Sequence, residues 1–296
     1  MSKLDEMEAF VAIARSGSIS KAAGKLGTAK SAMSRRLSDL EARLGVQLII
    51  RTTRQLSLTD EGASYLERAE HALDTFADAE NAVRNEKDQL SGTIRIAAPV
   101  SYGLSKLKPV FTAFMLDHPN VDMHVDFSDR NVDLVQDGFD MAIRIGKLED
   151  SSLIARRVTS VQHRVVASPN FWKTHGVPES PADLEILPFL RYSNGRRRDK
   201  VEYSTAEGVK GTINPHQRAN ASNGDFLAQL AVAGIGFMVE PEFIVDEHLA
   251  SGELEEVLSD HSWLALDLYI VFPANRRITK RTRVFADCVR TALAQD

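Results

Sequence analysis

The sequence predicts an α/β protein in which an α-rich N-terminal segment precedes one long helix and then two similar α/β lobes. Three patterns favour this class. Apolar residues recur at three- and four-residue spacing through the first 90 residues, as in helices. One such seam runs from about residue 59 to 88 and is interrupted only by Glu80. From residue 91 onward, strand-like segments alternate with helical ones, which indicates a mainly parallel sheet.

Composition limits the class of protein further. A length of 296 residues suggests two domains of about 150 residues each, and 43% hydrophobic with 26% charged residues are ordinary for a soluble globular protein. No run reaches the ~20 apolar residues of a membrane helix, and the first residues contain no apolar signal segment. Cys288 is the only cysteine, which excludes an internal disulfide and a cysteine metal cage. We therefore expect a cytoplasmic protein without a metal site.

Two helices open the chain and lead into a third. The second helix is expected to begin at Ser18, whose hydroxyl suits an N-cap, and Thr28 is the expected N-cap of the third helix. Ala23 supplies a small residue where two helices cross, Gly27 lies in the turn, and Met33 provides an apolar plug. These features together predict a helix-turn-helix.

The third helix is predicted to present a basic, hydroxyl-rich face to solvent. Between Arg15 and Arg54, nine Lys and Arg residues oppose only Asp39 and Glu41, although the whole chain carries a formal charge of −5. Cations clustered on an acidic protein indicate a nucleic-acid surface, here one that enters a DNA major groove. A helical bundle with ordinary solvated cations is the alternative. The candidate DNA-contacting residues of this region are Ser18, Thr28, Ala29, Lys30, Ser31, Ser34, Arg35 and Arg36.

A small hairpin is predicted to follow the third helix. Two short apolar runs, 46–51 and 55–58, flank a polar basic tip, which is the pattern of the wing of a winged helix. Arg51, Thr53 and Arg54 are expected to contact the DNA backbone and to position the module. The winged helix-turn-helix domain is therefore assigned to residues 1–58.

Residues 59–90 are predicted to form a linker and dimerisation helix. Thr59 suits its N-cap, and Asp60 and Glu61 place acids in its first turn. Its apolar seam has no neighbouring helix in sequence, so the expected partner is a second copy of the same helix. Packing onto its own domain is the alternative for its first turns. The seam residues are Leu66, Ala69, Leu73, Phe76 and Val83.

Residues 91–296 are predicted to form the α/β part in two similar series. The first series has strands at 93–98, 121–127 and 141–145 and helices at 101–117 and 132–137. The second has strands at 163–169, 189–192 and 266–272, and residues 234–239 lead into a further strand that ends at Pro241. Its helices are one that bears Phe171 and Trp172, one at 226–233 and one at about 280–294. The last helix is expected to hold Cys288 on its inner side, and a redox role for this thiol is the less favoured alternative. The arginine-rich run 195–200 is interpreted as a solvated loop rather than a second nucleic-acid site.

Two lobes predict a cleft with a ligand at the carboxyl ends of the strands. Ser101 is expected to cap a helix whose free N–H groups favour a small anion. Arg130 either pairs with a ligand carboxylate or with Asp129 or Asp133, and a small carboxylate or polar metabolite is the favoured ligand class. The candidate effector-binding residues are Pro99, Val100, Ser101, Ser128, Asp129, Arg130, Ile145, Gly146, Tyr192, Ser193, Asn220, Ser222 and Glu240.

Other classes of function are disfavoured by missing motifs. The sequence contains no P-loop, no Gly-x-Ser-x-Gly elbow and no metal-spaced histidines, which argues against an enzyme. The run Gly234-Ile235-Gly236 has no third glycine and opens no helix, so a dinucleotide site is not predicted. A solute-binding receptor is another alternative that two lobes would permit, but the missing signal segment and the basic first domain argue against it. A DNA-binding switch controlled by redox chemistry or by a protein remains the third alternative.

The chain resembles a LysR-type transcriptional regulator over essentially its whole length. The N-terminal residues that carry the resemblance are Phe10, Gly17, Ser18, Ala22, Ala23, Leu26, Ser31, Ala32, Ser34, Arg35, Leu40, Glu41, Leu44, Gly45, Leu48, Arg51, Leu58, Thr59 and Gly62. Those of the second part are Gly92, Ile94, Arg95, Ile96, Pro119, Ser128, Asp129, Arg130, Asp133, Leu134, Gly138, Phe139 and Asp140. Two residues depart from the pattern: Lys30 stands where glutamine is common, and Ile49 where phenylalanine is frequent.

The resemblance implies an effector domain similar to periplasmic binding proteins, with lobe I at about 91–161 and 268–296 and lobe II at about 162–267. It also implies a homodimer, a dimer of dimers, double-stranded DNA as a partner, contact with RNA polymerase near a divergent promoter, and no membrane. No cofactor is expected beyond a small effector. The effector would bias closure of the lobes and thereby change the DNA bend, provided that it binds the two arrangements unequally.

Overall fold

A computed structural model describes residues 2–51, 56–84, 90–130, 132–146, 153–194, 200–274 and 278–294. The chain divides into two compact units, Met1–Thr93 and Ile94–Asp296. Within the described ranges, no helix combines the length and the apolar character that a bilayer crossing requires.

The first unit begins with three helices, α1 (Lys3–Ser16), α2 (Ile19–Lys25) and α3 (Lys30–Leu44). Gly17 ends α1 in the left-handed region at φ 63°, and Ser18 caps α2 by accepting from the Lys21 N–H, as predicted. The prediction for Thr28 was wrong, because Ala29 occupies the N-cap position of α3 and makes no side-chain cap bond. The N-terminal turn of α3 is therefore left without a capping side chain.

A two-stranded wing and a long helix complete this unit. Strands β1 (Ile49–Arg51) and β2 (Leu56–Leu58) pair antiparallel, and α4 (Asp60–Arg84) follows. Thr59 caps α4 by accepting from the Gly62 N–H at 2.9 Å, and its hydroxyl donates to the Gln47 carbonyl at 2.8 Å. One threonine thus ties the start of α4 to the start of the wing.

The core of the first unit lies between α1, α2, α3 and the start of α4. Phe10, Met33 and Leu37 are fully buried there. Phe10 meets Tyr65 of α4 edge-to-face, with ring centroids 5.3 Å apart. Ala69 is 1% exposed in the same core, so this side chain cannot contact a second copy. The dimerisation prediction therefore fails for Ala69, and the packing of α4 on its own domain extends through its third turn.

The second unit is built on one mixed sheet. Its strands are β3 (Gly92–Ala98), β4 (Val121–Phe127), β5 (Met141–Ile145), β6 (Leu153–Ala167), β7 (Phe189–Tyr192), β8 (Val201–Ser204), β9 (Lys210–Ile213), β10 (Gln217–Ala221), β11 (Phe237–Pro241), β12 (Glu255–Val257) and β13 (Ser262–Pro273). Within the described ranges the order is β10-β7-β11-β6-β13-β5-β3-β4, with β12 beside β6, and β8 and β9 joined to β13. β3 and β5 are parallel, as are β10, β7 and β11, so each lobe has a parallel sheet of its own.

The two long strands β6 and β13 join the lobes. They pair antiparallel from Leu153–Pro273 to Trp263–His163, with register shifts between Trp263 and Leu266 and between Leu268 and Tyr269. The sequence predicted only the second part of β6, because residues 154–157 are exposed on the strand and do not alternate in polarity. The mainly parallel sheet of the prediction is thus a mixed one.

The helices of the second unit flank this sheet. They are α5 (Val100–Tyr102), a π-helical turn (Gly103–Leu107), α6 (Lys108–Asp117), α7 (Pro169–His175), a 3-10 helix (Pro181–Ile186), α8 (Gly224–Val232), α9 (Glu242–Ser251) and α10 (Lys280–Leu293). The predicted helix at 132–137 is wrong. That segment is a turn in which the Asp133 carboxylate accepts from the N–H groups of Val135 and Gln136 at 2.9 and 3.1 Å, and so replaces helical bonds.

Helix α10 corrects the position expected for Cys288. The helix buries Phe285, Val289 and Leu293, whereas Cys288 is exposed. Burial of the neighbourhood raises the pKa of the Cys288 thiol, and Asp287 and Asp117 add to the effect. A raised thiol pKa lowers the thiolate fraction and with it the reactivity. The prediction of an inward side chain was wrong.

Candidate DNA-binding surface and effector cleft

The outward face of α3 is cationic and open. Lys30, Ser31 and Arg35 are exposed, and 79% of the Arg35 side chain is accessible. The opposite face buries Met33, Leu37 and Leu40, which fixes the helix to the core and leaves its first turns projecting. Leu44 is 36% exposed, because it lies at the end of the helix.

Local geometry holds α2 and α3 at a fixed turn. The Thr28 N–H donates to the Ala23 carbonyl at 3.0 Å, and Gly27 lies between them at φ 61°, a conformation that glycine adopts without strain. Thr28 itself is half-buried, and Ala29 is exposed at the start of the helix. The turn therefore sets the direction of α3 through the backbone and leaves the side chains of its first turn available.

The cations of α3 differ in how they are engaged. Arg43 contacts Glu6 at 2.9 Å, and this hydrogen bond raises the pKa of Arg43. Arg35 lies 3.9 Å from Asp39, a loose exposed pair that contributes little. Arg36 is half-buried, and its Nε has no hydrogen-bond partner among the described residues. The first half of α3 therefore keeps its cations available for phosphates, while the second half uses Arg43 for the fold.

The wing starts from an anchored position. The Glu41 carboxylate accepts from the N–H groups of Leu48 and Ile49 at 2.9 and 3.1 Å, which fixes the first wing strand to the end of α3. Thr53 and Arg54 lie outside the described residues, and so does the side chain of Arg51. Their predicted DNA contacts stay predictions.

The apolar seam of α4 changes character along the helix. Leu66 packs against the core of its own unit, and Leu73 is half-buried. Phe76 is 46% exposed, although it is a large aromatic side chain. The side chain of Val83 lies outside the description. Within the described part of α4, Phe76 is the seam residue that offers an open apolar surface.

The first side of the cleft is formed where β3 and β4 end. Pro99 occupies the N-cap position of α5, and the next residue, Val100, donates its N–H to the Asp129 carboxylate at 3.0 Å. Ser128 donates its N–H to the Ala98 carbonyl, so the two strand ends are joined directly. Ser101 does not cap the helix, which corrects that expectation. The protein's own Asp129 occupies the position where an external anion was expected.

The second side of the cleft is formed where β7, β10 and β11 end. Tyr192 is the last residue of β7, and Ser193 donates its N–H to the Ala221 carbonyl of β10. Asn223 caps α8 by accepting from the Phe226 N–H at 2.8 Å. Glu240, near the end of β11, is 3% exposed, and a methyl group at Gly224 would lie 3.0 Å from its Oε2. This side therefore presents a phenol and carboxyl groups. The backbone N–H groups of Ser193 and Phe226 beside them are already hydrogen-bonded within the protein.

Side chains from the two lobes meet across the cleft. The Ser101 hydroxyl donates to the Asp225 carboxylate at 2.5 Å. The Tyr192 phenol lies near Asp129, whose charge helps to raise the pKa of Tyr192. The rings of Tyr102 and Phe243 meet edge-to-face with centroids 4.9 Å apart. The structure is therefore of a closed arrangement, in which residues from both lobes share one site.

Electrostatics in this site follow from burial and from neighbouring acids. Burial raises the pKa of Glu240 to about 8, and the charges of Asp225 and Asp129 add to the shift. Burial also raises the pKa of Asp129, against the bond from the Val100 N–H. The pKa of Tyr192 rises to about 12 through burial and the nearby Asp129. The raised pKa values mean that the site disfavours the ionised forms of Glu240, Asp129 and Tyr192.

The structure brings together some of the predicted effector residues and not others. Val100, Ser101, Asp129, Tyr192 and Glu240 are linked by the contacts above. Ser222 contributes only its carbonyl, which accepts from Asn194 at 3.4 Å. Arg130 is exposed, and its N–H donates to the Ser128 hydroxyl at 3.2 Å.

Two further groups of candidates lie on strands rather than in open turns. Asn220 belongs to β10, where it pairs with Arg191 and is exposed. Ile145 pairs with Leu268 at the end of β5, and the Gly146 N–H donates to the Asp267 carbonyl. Within the part of the chain that the structure describes, no contact links Asn220, Ile145 or Gly146 to Asp129, Asp225 or Glu240.

Sequence reasoning missed Asp225. Its signal was present, since an acid in the first turn after an Asn N-cap at 223 is a common helix start. Nothing local showed that this acid would face Ser101, which is 124 positions away in the chain. Among the described residues, no group of three or more His, Cys, Asp or Glu side chains is arranged to hold a metal ion.

The fold and the two sites define a class of protein: a DNA-binding helix-turn-helix module joined to a two-lobed ligand-binding domain. Residues 4–63 match the family model described as a bacterial regulatory helix-turn-helix protein of the lysR family. Residues 87–294 match the LysR substrate binding domain. The chain belongs to the LysR family of bacterial transcriptional regulators, and it is a regulator rather than an enzyme.

Individual relatives agree with this assignment over nearly the whole chain. The regulator CrgA of Neisseria meningitidis is 34% identical over 284 residues, which cover 96% of this chain and 94% of CrgA. A transcriptional repressor of Pseudomonas aeruginosa is 30% identical over 297 residues, covering 100% of this chain and 94% of the repressor. The solved structure of CrgA aligns with a TM-score of 0.61 at 33% identity and 98% coverage of both chains. The Vibrio cholerae virulence activator AphB aligns at 0.59 and 27% identity, again over 98% of both chains.

Proposed function

We propose that this transcriptional regulator binds a palindromic DNA site as a homodimer, assembles further as a dimer of dimers, and changes DNA geometry when an effector biases closure of its lobes. The observation that carries effector control is the direct contact between lobes at the strand ends, above all the hydrogen bond from Ser101 to Asp225 at 2.5 Å. A ligand entering there must exchange with this contact, so its affinity differs between the open and closed arrangements. That difference is what a population shift requires.

DNA contact is proposed for the residues that the helix-turn-helix leaves available. Lys30, Ser31 and Arg35 project from the first half of α3, whose N-cap Ala29 makes no side-chain bond. Free N–H groups at a helix N-terminus attract phosphate oxygens. Ser34 lies one turn further along α3, and its hydroxyl is a further proposed DNA contact. Lys30 suits phosphate or guanine rather than adenine, so the base preference of this protein differs from that of relatives with glutamine there.

Dimerisation is proposed to use the far part of α4. Phe76 is 46% exposed on an amphipathic helix whose first turns pack on their own domain. Two such helices pairing around a two-fold axis would cover this side chain and would bring two recognition helices to the half-sites of a palindrome. A resident cofactor is not part of the proposal. RNA polymerase is the proposed further partner, and since the target is DNA we propose that the protein acts in the bacterial cytoplasm.

Genome-wide mapping of bound DNA tests the proposal, followed by titration of the recovered site at several salt concentrations. Neutralisation of each phosphate contributes about −0.9 to the slope of log K against log salt. A dimer that uses Lys30, Arg35 and wing cations in each subunit should show a steep negative slope on a palindromic site. Equal affinity for random DNA would contradict sequence-specific regulation.

A further inference from the structure

We propose that the cleft between the lobes binds an organic cation, with its ammonium or guanidinium group against Glu240, Asp129 and Asp225. This inference rests on the proposed effector control and names the chemical class of the ligand. It replaces the small carboxylate that the sequence favoured.

The first argument is that donors at both helix starts are already bound by the protein's own side chains. The N–H of Val100 is bound by Asp129, and the N-terminus of α8 is capped by the side chain of Asn223. The Ser101 hydroxyl donates to Asp225. Anion sites depend on free backbone N–H groups or cationic side chains at such helix starts. Here Asp129 and Asn223 each occupy one of those N–H groups, and a ligand carboxylate would also meet the like charges of the nearby acids.

The second argument is independent of the number of acids and concerns Glu240 alone. Its side chain is 3% exposed, and its raised pKa comes from burial and from the charges of Asp225 and Asp129, with no hydrogen bond among the causes. A residue without a side chain, Gly224, approaches it so closely that a methyl group there would lie 3.0 Å from Oε2 and 2.4 Å from Ile244 Cδ1. Buried polar groups in proteins have partners, and an unpartnered one costs stability. A bound donor would supply the missing partner.

The third argument is that, within the ranges the structure describes, no cationic side chain pairs with Glu240 or Asp129. Arg164 stands opposite Glu240 in the pairing of β6 with β11. Its guanidinium group instead contacts Glu256 at 2.8 Å, Asp246 at 3.6 Å and Glu242 at 3.8 Å. The titratable groups that face Glu240 are Asp225 from α8, Asp129 from the loop after β4, and Tyr192 at the end of β7. These groups are acids.

The arrangement of the acids selects an organic cation over a metal ion. The described residues contain no group of three carboxylates or imidazoles close enough to ligate one metal. Donors on a planar guanidinium or on an alkylammonium reach carboxylates that lie apart from one another. The rings of Tyr102 and Phe243, 4.9 Å apart at the lobe boundary, provide an apolar surface for the carbon chain of such a ligand.

The test is calorimetric titration of the full chain with four probes that share a four-carbon chain: 1,4-diaminobutane, 1-aminobutane, butan-1-ol and succinate. At fixed ionic strength, the two amines should bind at least about tenfold more tightly than the alcohol or the dianion, a difference that reflects charge rather than shape. Tighter binding of succinate than of the amines would overturn the inference.

Three variants assign the binding to the cleft. Glu240→Gln and Asp225→Asn should each weaken amine binding about tenfold or more, since each removes one carboxylate without changing its shape. Glu247→Gln is the matched control, because this glutamate is exposed on α9. The pKa of Glu240 near 8 means that the amine displaces a proton. Affinity should therefore rise between about pH 6.5 and 7.5, by up to about tenfold, and Glu240→Gln should remove this rise. Equal loss in all three variants would overturn the inference.

DNA binding by the same preparations separates this inference from the proposed function. If the protein binds its DNA site and neither amine binds, the inference fails and the regulator remains. If the amines bind in the cleft and leave DNA affinity and bending unchanged, the ligand class is supported, whereas effector control is refuted.

Discussion

The two units of this protein carry their functional charges under opposite conditions. In the first unit, Lys30 and Arg35 stand on the open face of α3 in full contact with water. In the second, Glu240 is 3% exposed and Asp129 is half-buried, both among other acids. Exposed charges cost little to keep, and they are screened by salt. Buried charges are costly unless they are paired or protonated.

This difference separates the energetics of fold and function in the two units. The α3 surface can change its cations without loss of stability, because the core beneath it is apolar and independent of them. The cleft cannot change Glu240 in this way, because this carboxyl group is buried and its raised pKa links its protonation to folding. Ligand binding, pH and stability are therefore coupled in the second unit, and ionic strength governs function in the first.

The largest expected effect comes from breaking the core under the basic surface. Leu37→Ala should lower the free energy of unfolding of the first unit by about 2–5 kcal/mol, because Leu37 is fully buried. Chemical unfolding followed by circular dichroism measures the loss. Tryptophan fluorescence reports on the second unit alone, since Trp172 and Trp263 both lie there, and it should not change.

Leu44→Ala provides the control for this prediction. Leu44 is 36% exposed at the end of the same helix, so the same truncation should cost about 1 kcal/mol or less. A matching shift of the tryptophan transition in Leu37→Ala would mean that the two units do not unfold separately.

A second prediction concerns the pH dependence of the cleft. The pKa of Glu240 is raised from 4.5 to about 8, so the folded state keeps a proton that the unfolded state has lost between these values. Stability from this group is complete below the lower value and falls as pH rises, with a limiting slope on the order of 1.4 kcal/mol per pH unit. Urea unfolding followed by tryptophan fluorescence at pH values between these limits should show the decline. Glu240→Gln should flatten it and Glu247→Gln should not.

The third prediction tests the seam of α4. Phe76→Ser should weaken dimerisation about tenfold, because a 46% exposed aromatic ring at a helix pair loses its apolar contact. Analytical ultracentrifugation over a range of concentrations measures the dissociation constant. Ala72→Ser, an exposed change on the same helix, should leave the constant unaltered. An unchanged constant in Phe76→Ser would place the dimer contact elsewhere.

The fourth prediction sharpens the electrostatics of α3. Lys30→Ala and Arg35→Ala should each reduce the magnitude of the slope of log K against log salt by about 1 per phosphate contact removed. Fluorescence anisotropy with a labelled DNA site measures it. Lys210→Ala removes an exposed cation from the second unit and should leave the slope as it is. Slopes reduced equally by all three variants would indicate a general charge effect.

The smallest expected effect is that of Cys288→Ser. Cys288 is exposed on α10, and burial of its surroundings together with two acids raises the pKa of its thiol. We expect DNA affinity and its response to oxidants to stay within about 0.5 kcal/mol of the unmodified protein. A large change on peroxide treatment that disappears in the variant would establish redox control.

The sequence by itself determined the local elements of the first unit. Met33, expected as an apolar plug, is fully buried, and Ser18 marked a helix start correctly. These features depend on neighbours within a few residues, which the chain order displays directly. The sequence also placed Ser101, Asp129, Tyr192 and Glu240 at strand ends, because ligand sites of parallel sheets occur there.

Only the tertiary structure decided the character of the cleft. It joined Ser101 to Asp225 across 124 positions of chain, and it buried Glu240 beside two other acids. It also buried Ala69 in the core of the first unit, where spacing had suggested a dimer contact. It left Cys288 exposed, where spacing had suggested an inward side chain. Burial and the proximity of distant charges arise from how elements pack, and pKa values follow from both. The sign of the ligand charge could therefore be inferred only from the folded protein.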